Sequence, residues 1–351
     1  VIVNYTVIVY NRQPVPETTP VHSSIDLDAR GKHVGRLELP RSNNTSGWSH
    51  LFIPIVSIKG GEGPTALVIG GVHGDEPEGQ VAALRLARET LPDQVLGQLI
   101  VVPCASPEAS RAYTRLWPSG ANFNRSFPGS PDGSPDEQLA DYFTRFLFPR
   151  ADVVVDMHSG GRSGLCPPWS EMHWVDDAAQ RRQMVDAMLA WGTDYHFVYI
   201  DIAGSGLLVG EAERQGKVVV STELGGGGHV TAAVHRIAQS GLANVLRHVD
   251  VLPGEVRRRD TSPVIGRATE VDNYLLAPES GLWETFVDLG DSVSAGQAVG
   301  QVHSLERPDR EPAVVEALTD GIVFVVRAIA TTEQGDNVAV IARQIEVDEL
   351  R

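Results

Sequence analysis

His73 and Glu76 stand three residues apart in Val-Ile-Gly-Gly-Val-His-Gly-Asp-Glu-Pro-Glu, the run from Val68 to Glu78. An imidazole and a carboxylate at that spacing in a turn can reach one ion together. The pair suits zinc, which accepts both donor types. Alone it is weak evidence, since His73 also reads as a loop histidine and Glu76 as an acid favouring a helix N-terminus. His158 ends an apolar run from Ala151 and offers a third donor. Catalytic zinc sites commonly have three protein ligands and one open position. The ion acidifies water and polarises a carbonyl. Hydrolysis then needs a general base that can later protonate a leaving amine. Glu223, after Lys217 to Thr222, is the candidate. It reads otherwise as a strand-end carboxylate capping a glycine loop.

Asp156 precedes His158 by two, so on a strand the two share a face. It can orient a metal-bound histidine, and Asp75 is a weaker candidate for the same task. The irregular stretch Ala105 to Gly133 carries Asn122-Phe123-Asn124-Arg125-Ser126-Phe127. An arginine can grip a carboxylate through two parallel hydrogen bonds, with Asn124 assisting Arg125. Arg115 can serve as an oxyanion donor. As isolated loop residues, all three would simply satisfy backbone carbonyls.

These residues need strands to deliver them. Thr65 to Ile69, Gln98 to Cys104, Ala151 to Met157 and Lys217 to Thr222 are near-continuous apolar runs. Helical patterns lie between them. Glu76 to Leu91 has apolar positions at Val81, Leu84, Leu86 and Leu91; Asp136 to Leu147 has Ser134 as N-cap. Ala178 to Trp191, Leu207 to Gln215 and Val230 to Val249 follow. Leu37 to Leu39, Leu51 to Ile58 and Phe197 to Ile200 are further strand signals. Alternating strands and helices indicate an α/β sheet with helices on both faces. Ligands in such sheets bind beyond the carboxyl ends of strands. His73, His158 and Glu223 each sit at or just past such an end. After residue 253 the texture changes to short strands with glycine turns, an all-β module over residues 260–345. Residues 23–253 form the hydrolase-type domain, and residues 1–22 an arm and linker.

The chain has 351 residues, 42% hydrophobic and 21% charged, with a net charge of −16. This composition is that of a soluble globular protein. The acidity argues against nucleic-acid binding, which needs a basic footprint. No apolar run approaches the ~20 residues of a membrane helix, and no secretory leader pattern is present. Cys104 and Cys166 make no metal or disulfide motif, which points to a reducing cytoplasm. The apolar Val1 to Tyr10 suggests assembly, and a homo-oligomer is expected.

In order, His73-Gly74-Asp75-Glu76, Asn124-Arg125, Asp156-Met157-His158 and Glu223 resemble the succinylglutamate desuccinylase/aspartoacylase family, relatives of the zinc carboxypeptidases. The resemblance covers roughly residues 45–345. It implies a zinc carboxypeptidase-like mixed sheet and one Zn2+ per chain on His73, Glu76 and His158. It also implies Glu223 as general base, Arg115 on the amide carbonyl, and Asn124 and Arg125 on the substrate α-carboxylate. The substrate is then a small-molecule N-acyl amino acid. Asn-Phe-Asn-Arg-Ser-Phe-Pro-Gly, Asp-Met-His-Ser-Gly-Gly and Thr-Glu-Leu-Gly-Gly-Gly-Gly look closest to the ectoine-degradation branch, whose members deacetylate N-acetyl-diaminobutyrate. A basic residue for a substrate side-chain carboxylate has no evident match in the motifs, and Arg162 is the candidate for it. The C-terminal module resembles a lipoyl/biotinyl-type sandwich in turn spacing. No lysine follows Lys217, so it carries no cofactor arm. In the family this module covers the active-site mouth, and Tyr274 is its candidate contribution to substrate binding.

Aspartoacylase or desuccinylase activity, peptide-cleaving zinc carboxypeptidase activity, and a non-catalytic binding protein are the alternatives. A covered mouth weighs against long peptides. The presence of all three ligands and the base weighs against a binding protein. Trp169 and Trp174 read as apolar wall or ordinary packing, Cys166 as a bystander, and the remaining histidines as solvent or core residues.

Overall fold

The structure, a computed structural model, describes residues 19–200, 204–257 and 262–350. The arm and most of the linker expected over residues 1–22 lie outside the described residues.

Fifteen strands make one sheet. Its functional half runs Gly31–Asn43, Ser46–Lys59, Gln98–Val102, Thr65–Gly70, Val153–His158, Val218–Glu223, Trp169–His173, Tyr195–Tyr199. Thr65–Gly70 is parallel to both neighbours, and Val218–Glu223 is parallel to Val153–His158. Trp169–His173 runs antiparallel to Val218–Glu223, so the sheet is mixed. Side chains alternate between its faces. Leu67, Ile69, Ile100, Val102 and Val154 enter one core, while Ala66, Val68, Leu99, Val101 and Val155 enter the other. Burial on both faces explains why these strands read as continuous apolar runs. Pro135–Tyr142, Ala178–Ala190 and Leu208–Arg214 pack through Leu139, Met184 and Leu208 on the first face. Pro77–Glu89 and Ala232–His248 cover the second through Ala83 and Leu242. The expected helices on both faces are present.

The helix after Glu76 differs from its sequence reading. Val81, Leu84 and Leu91 are exposed, and the buried strip is Gly79, Ala82, Ala83 and Ala87. The sheet is too close for larger residues. A Cβ at Gly79 would stand 2.6 Å from the Met157 Cβ and from its carbonyl oxygen. Small residues let the helix start directly behind the His158 strand, which fixes the turn carrying His73 and Glu76.

Beyond Tyr195–Tyr199 the sheet continues through Val264–Ala268 to Asn337–Ile345 and Gly321–Arg327. A second sheet of four strands contains Gly281–Thr285, Ala298–His303 and Ala313–Glu316. Trp283, Val299 and Val302 from it share a core with Leu275, Val323 and Ile341. The C-terminal module is therefore an antiparallel β structure with its own core, and its edge is hydrogen-bonded into the main sheet. Among the described residues no helix is long and apolar enough to cross a membrane.

His196 gives the fold a pH dependence. Its ring is buried, and burial pushes its pKa down from 6.5 to about 4. The Ser170 hydroxyl donates to the Met188 carbonyl, so its oxygen accepts from His196 Nδ1 at 2.8 Å. The native ring stays neutral where the unfolded one protonates. Its stabilising contribution is present above pH 6.5 and is lost as pH falls towards 4. The expected loss between pH 7.5 and 5 is about 2 kcal/mol. Denaturant unfolding at the two pH values should show it, and His196→Asn should remove that share of the slope.

Candidate metal centre and active site

The sheet register brings the predicted residues together. His158 and Glu223 are cross-strand neighbours at the carboxyl ends of adjacent parallel strands. Gly70 ends the strand on the other side, and the following turn swings His73 and Glu76 over the same edge. Gly225 to Gly228 all have positive φ, which side chains resist. That run folds Glu223 against the loop after His158, with Leu224 N donating to His158 O at 2.9 Å and Gly160 N to Gly225 O at 3.1 Å.

One donor atom each from His73, Glu76 and His158 lies within 4.8 Å of the other two, and all three residues are buried. His73 Nδ1 is 2.7 Å from Glu76 Oε1, and His158 Nδ1 is 2.7 Å from Glu76 Oε2. The outer ring nitrogens face acceptors. His73 Nε2 is 3.2 Å from Asn122 Oδ1, and His158 Nε2 is 2.9 Å from Asp156 Oδ2. With an ion bound, an acceptor there would hold the proton on Nε2 and leave the Nδ1 lone pair to face the ion. Two lone pairs and a carboxylate then meet at one point, an arrangement that calls for a cation. The residues fit a divalent ion.

The electrostatics agree. Burial alone would raise the Glu76 carboxyl, but the His73 and His158 imidazoles hold it well below the carboxylate range. Burial would lower His158, and the Asp156 and Glu76 carboxylates outweigh that and raise it. His73 stays lowered, with burial the largest cause. Burial, then the charges of Glu171 and Glu76, push Glu223 well above the usual range. Its Oε2 is buried without a hydrogen-bond partner. A carboxyl so placed favours accepting a proton.

A cavity of about 280 Å³ opens on this cluster. Arg115, Asn124, Arg125 and Tyr274 line it with His73, Glu76, His158 and Glu223, so all eight predicted site residues meet in one space. Arg115 Nη1 donates to Glu76 Oε1 at 3.1 Å. Asn124 Oδ1 accepts from Leu208 N at 2.8 Å, which leaves its amide NH2 as the free donor edge. Arg125 is tied back to the Asn124 carbonyl at 2.6 Å. Tyr274, with Val325 and Val340, brings the C-terminal module to the cavity wall; its hydroxyl donates to Ala268 O at 3.2 Å. Arg162 is exposed, lies outside the lining, and sits over the Tyr113 ring. Asp75 accepts from the Arg162 backbone amide, holding the loop after His158.

Residues 62–249 match the succinylglutamate desuccinylase/aspartoacylase catalytic domain. The chain belongs to that family. A relative from Halomonas elongata, N-alpha-acetyl-L-2,4-diaminobutyric acid deacetylase, is 40% identical over 93% of this chain and 96% of its own length. The product-bound ectoine utilization protein EutE (DoeB) from Ruegeria pomeroyi superposes with a TM-score of 0.89 at 39% identity, covering 93% of this chain and 99% of that one. A succinylglutamate desuccinylase from Silicibacter sp. TM1040 superposes with a TM-score of 0.88, also at 39% identity, with the same coverage of both chains. The family resemblance read from His73, Glu76, Asn124-Arg125, His158 and Glu223 therefore holds, and the likeness extends over the C-terminal module.

The sequence reading missed three contributors. Asn122 orients His73, although only its motif was singled out. Glu171 and Tyr199 line the cavity from strands Trp169–His173 and Tyr195–Tyr199. Trp169, left open between wall and packing, lines it too, as does Cys166, which the sequence placed as a bystander. Trp174 instead packs under Arg181 and Arg267. His173 and His196 are buried, and His229 is exposed outside the cavity.

Proposed function

We propose that this protein is a zinc-dependent amidohydrolase that removes the acetyl group from N2-acetyl-L-2,4-diaminobutanoate. The observation that carries the reading is the near-full-length identity to the deacetylase of H. elongata. A complete set of three ligands and a base in one cavity supports the chemistry. When bound to His73, Glu76 and His158, zinc polarises the scissile carbonyl and acidifies water. Arg125 and the Asn124 amide hold the α-carboxylate, which orients the amide towards the ligands. Glu223 takes a proton from the attacking water as the new C–O bond forms. Arg115 donates to the carbonyl oxygen as negative charge develops there. Glu223 then passes the proton to the amine nitrogen as the C–N bond breaks, releasing acetate and the diamino acid. A cavity near 280 Å³, closed partly by Tyr274 and Val325, favours one amino acid over a peptide. In this reading the C-terminal module is a lipoyl-like sandwich serving as a fixed wall. Two free cysteines support a cytoplasmic setting.

Amine release from N2-acetyl-diaminobutyrate, N-acetyl-aspartate and N2-succinyl-glutamate tests the substrate. Turnover of the first alone is expected. Preference for either acidic substrate would keep the chemistry and overturn the assignment.

A further inference from the structure

Glu171 is a buried carboxylate in the cavity wall that the steps above leave without a task. The register gives its depth. Glu223 pairs with Trp169, and Ser221 with Glu171. The His158–Glu223 row therefore lies two residues above the Glu171 row on the same face, about 7 Å away. Its hydrogen-bond partners are neutral. Trp169 Nε1 donates to Oε2 at 2.7 Å, and the nearby Tyr199 hydroxyl favours the charged form of Glu171. No arginine or lysine among the described residues pairs with it; the more distant imidazoles of His158 and His173 favour its charged form, while Glu223 and Glu171 repel one another's charge. Burial raises its carboxyl above the ordinary range. A buried acid without a cation is costly, and a cation arriving with the ligand would offset that cost.

The surroundings suit an ammonium group. Trp169, Phe197 and Tyr199 line the cavity beside Glu171. Trp169 and Phe197 have ring centroids 5.0 Å apart, and Phe197 and Tyr199 5.9 Å. Aromatic faces attract a desolvated cation, and the carboxylate fixes its position. The reach also fits. From the scissile carbonyl carbon through the amide nitrogen to the end of a two-methylene side chain is about 6 Å, at bond lengths near 1.5 Å. An acidic side chain at that depth would meet Glu171 as a like charge, which costs affinity.

We infer that Glu171 is the specificity-determining residue of the site, binding the side-chain ammonium of an N-acyl diamino acid within the aromatic wall of Trp169, Phe197 and Tyr199. This assignment rests on the amidohydrolase reading for its substrate class, but binding of the free amino acid tests it separately. The full-length, zinc-loaded protein is titrated with 2,4-diaminobutyrate, its methyl isostere norvaline, and the longer ornithine. Their N2-acetyl forms are assayed in parallel. The wild type should prefer diaminobutyrate to norvaline by at least about tenfold in Kd and in kcat/KM. Glu171→Gln should lose that preference through a higher Kd and KM, with norvaline unchanged within about threefold. Glu171→Asp withdraws the charge by one methylene and should shift preference from diaminobutyrate towards ornithine; it also serves as the readout if Glu171→Gln does not fold. Equal weakening of diaminobutyrate and norvaline in Glu171→Gln, or a wild type indifferent to the two, would overturn the assignment. If neither acetyl compound is hydrolysed while the preference in binding still depends on Glu171, the assignment stands and the deacetylase reading falls.

Discussion

Glu223→Gln is expected to keep its metal and to lose about 10²- to 10⁴-fold in kcat, the usual share of a positioned proton carrier. The reason is positional. Glu223 lies across the register from His158, at the same sheet edge as the ligands, yet it is not one of the three converging donors. Its Oε2 has no protein partner to satisfy, so the amide substitution leaves the fold little changed. Burial and the carboxylates of Glu171 and Glu76 raise its affinity for a proton. Glutamine keeps the shape and removes that capacity. Metal content by elemental analysis should match the wild type, with KM altered far less than kcat. Unchanged turnover would remove Glu223 from the mechanism.

His158→Ala has the opposite signature, with metal and activity lost together. His158 Nδ1 and Glu76 Oε2 converge at 2.7 Å, and Asp156 holds the other ring nitrogen. Removing the imidazole leaves two ligands where a stable zinc site commonly uses three. It also strands two buried acids, Asp156 and Glu76. Zinc affinity should therefore fall by well over about 100-fold, beyond what loss of an orienting partner alone produces. Asp156→Asn provides that smaller comparison, with a roughly 10- to 100-fold loss. Full metal content in His158→Ala would show that the site is built elsewhere.

The three converging donors and the carboxyl beside them were legible because of a property of buried parallel strands. Strands covered on both faces are near-continuous apolar runs, so the carboxyl end of each run marks the sheet edge. His73, His158 and Glu223 all stand at such marks. Arg115, Asn124 and Arg125 lie in a stretch without periodicity, and the ordered family motif located them. Glu171 was hidden by the same logic. Trp169–His173 places Trp169, Glu171 and His173 on one face and follows Cys-Pro-Pro, so it shows no apolar signal and reads as loop. Its antiparallel insertion beside the Glu223 strand is a tertiary fact. The buried face of Pro77–Glu89 was hidden because closeness to the sheet selects glycine and alanine, leaving the larger apolar residues outside. The Asn122–His73 contact joins segments 49 residues apart, and no local pattern records it.

The measurement to make first is amine release from N2-acetyl-L-2,4-diaminobutanoate by the protein as purified, after chelation, and after return of zinc. The site described here predicts turnover that is lost on chelation and restored by one equivalent of zinc per chain. Turnover that survives complete removal of metal would contradict it, as would absence of turnover in protein carrying one bound zinc.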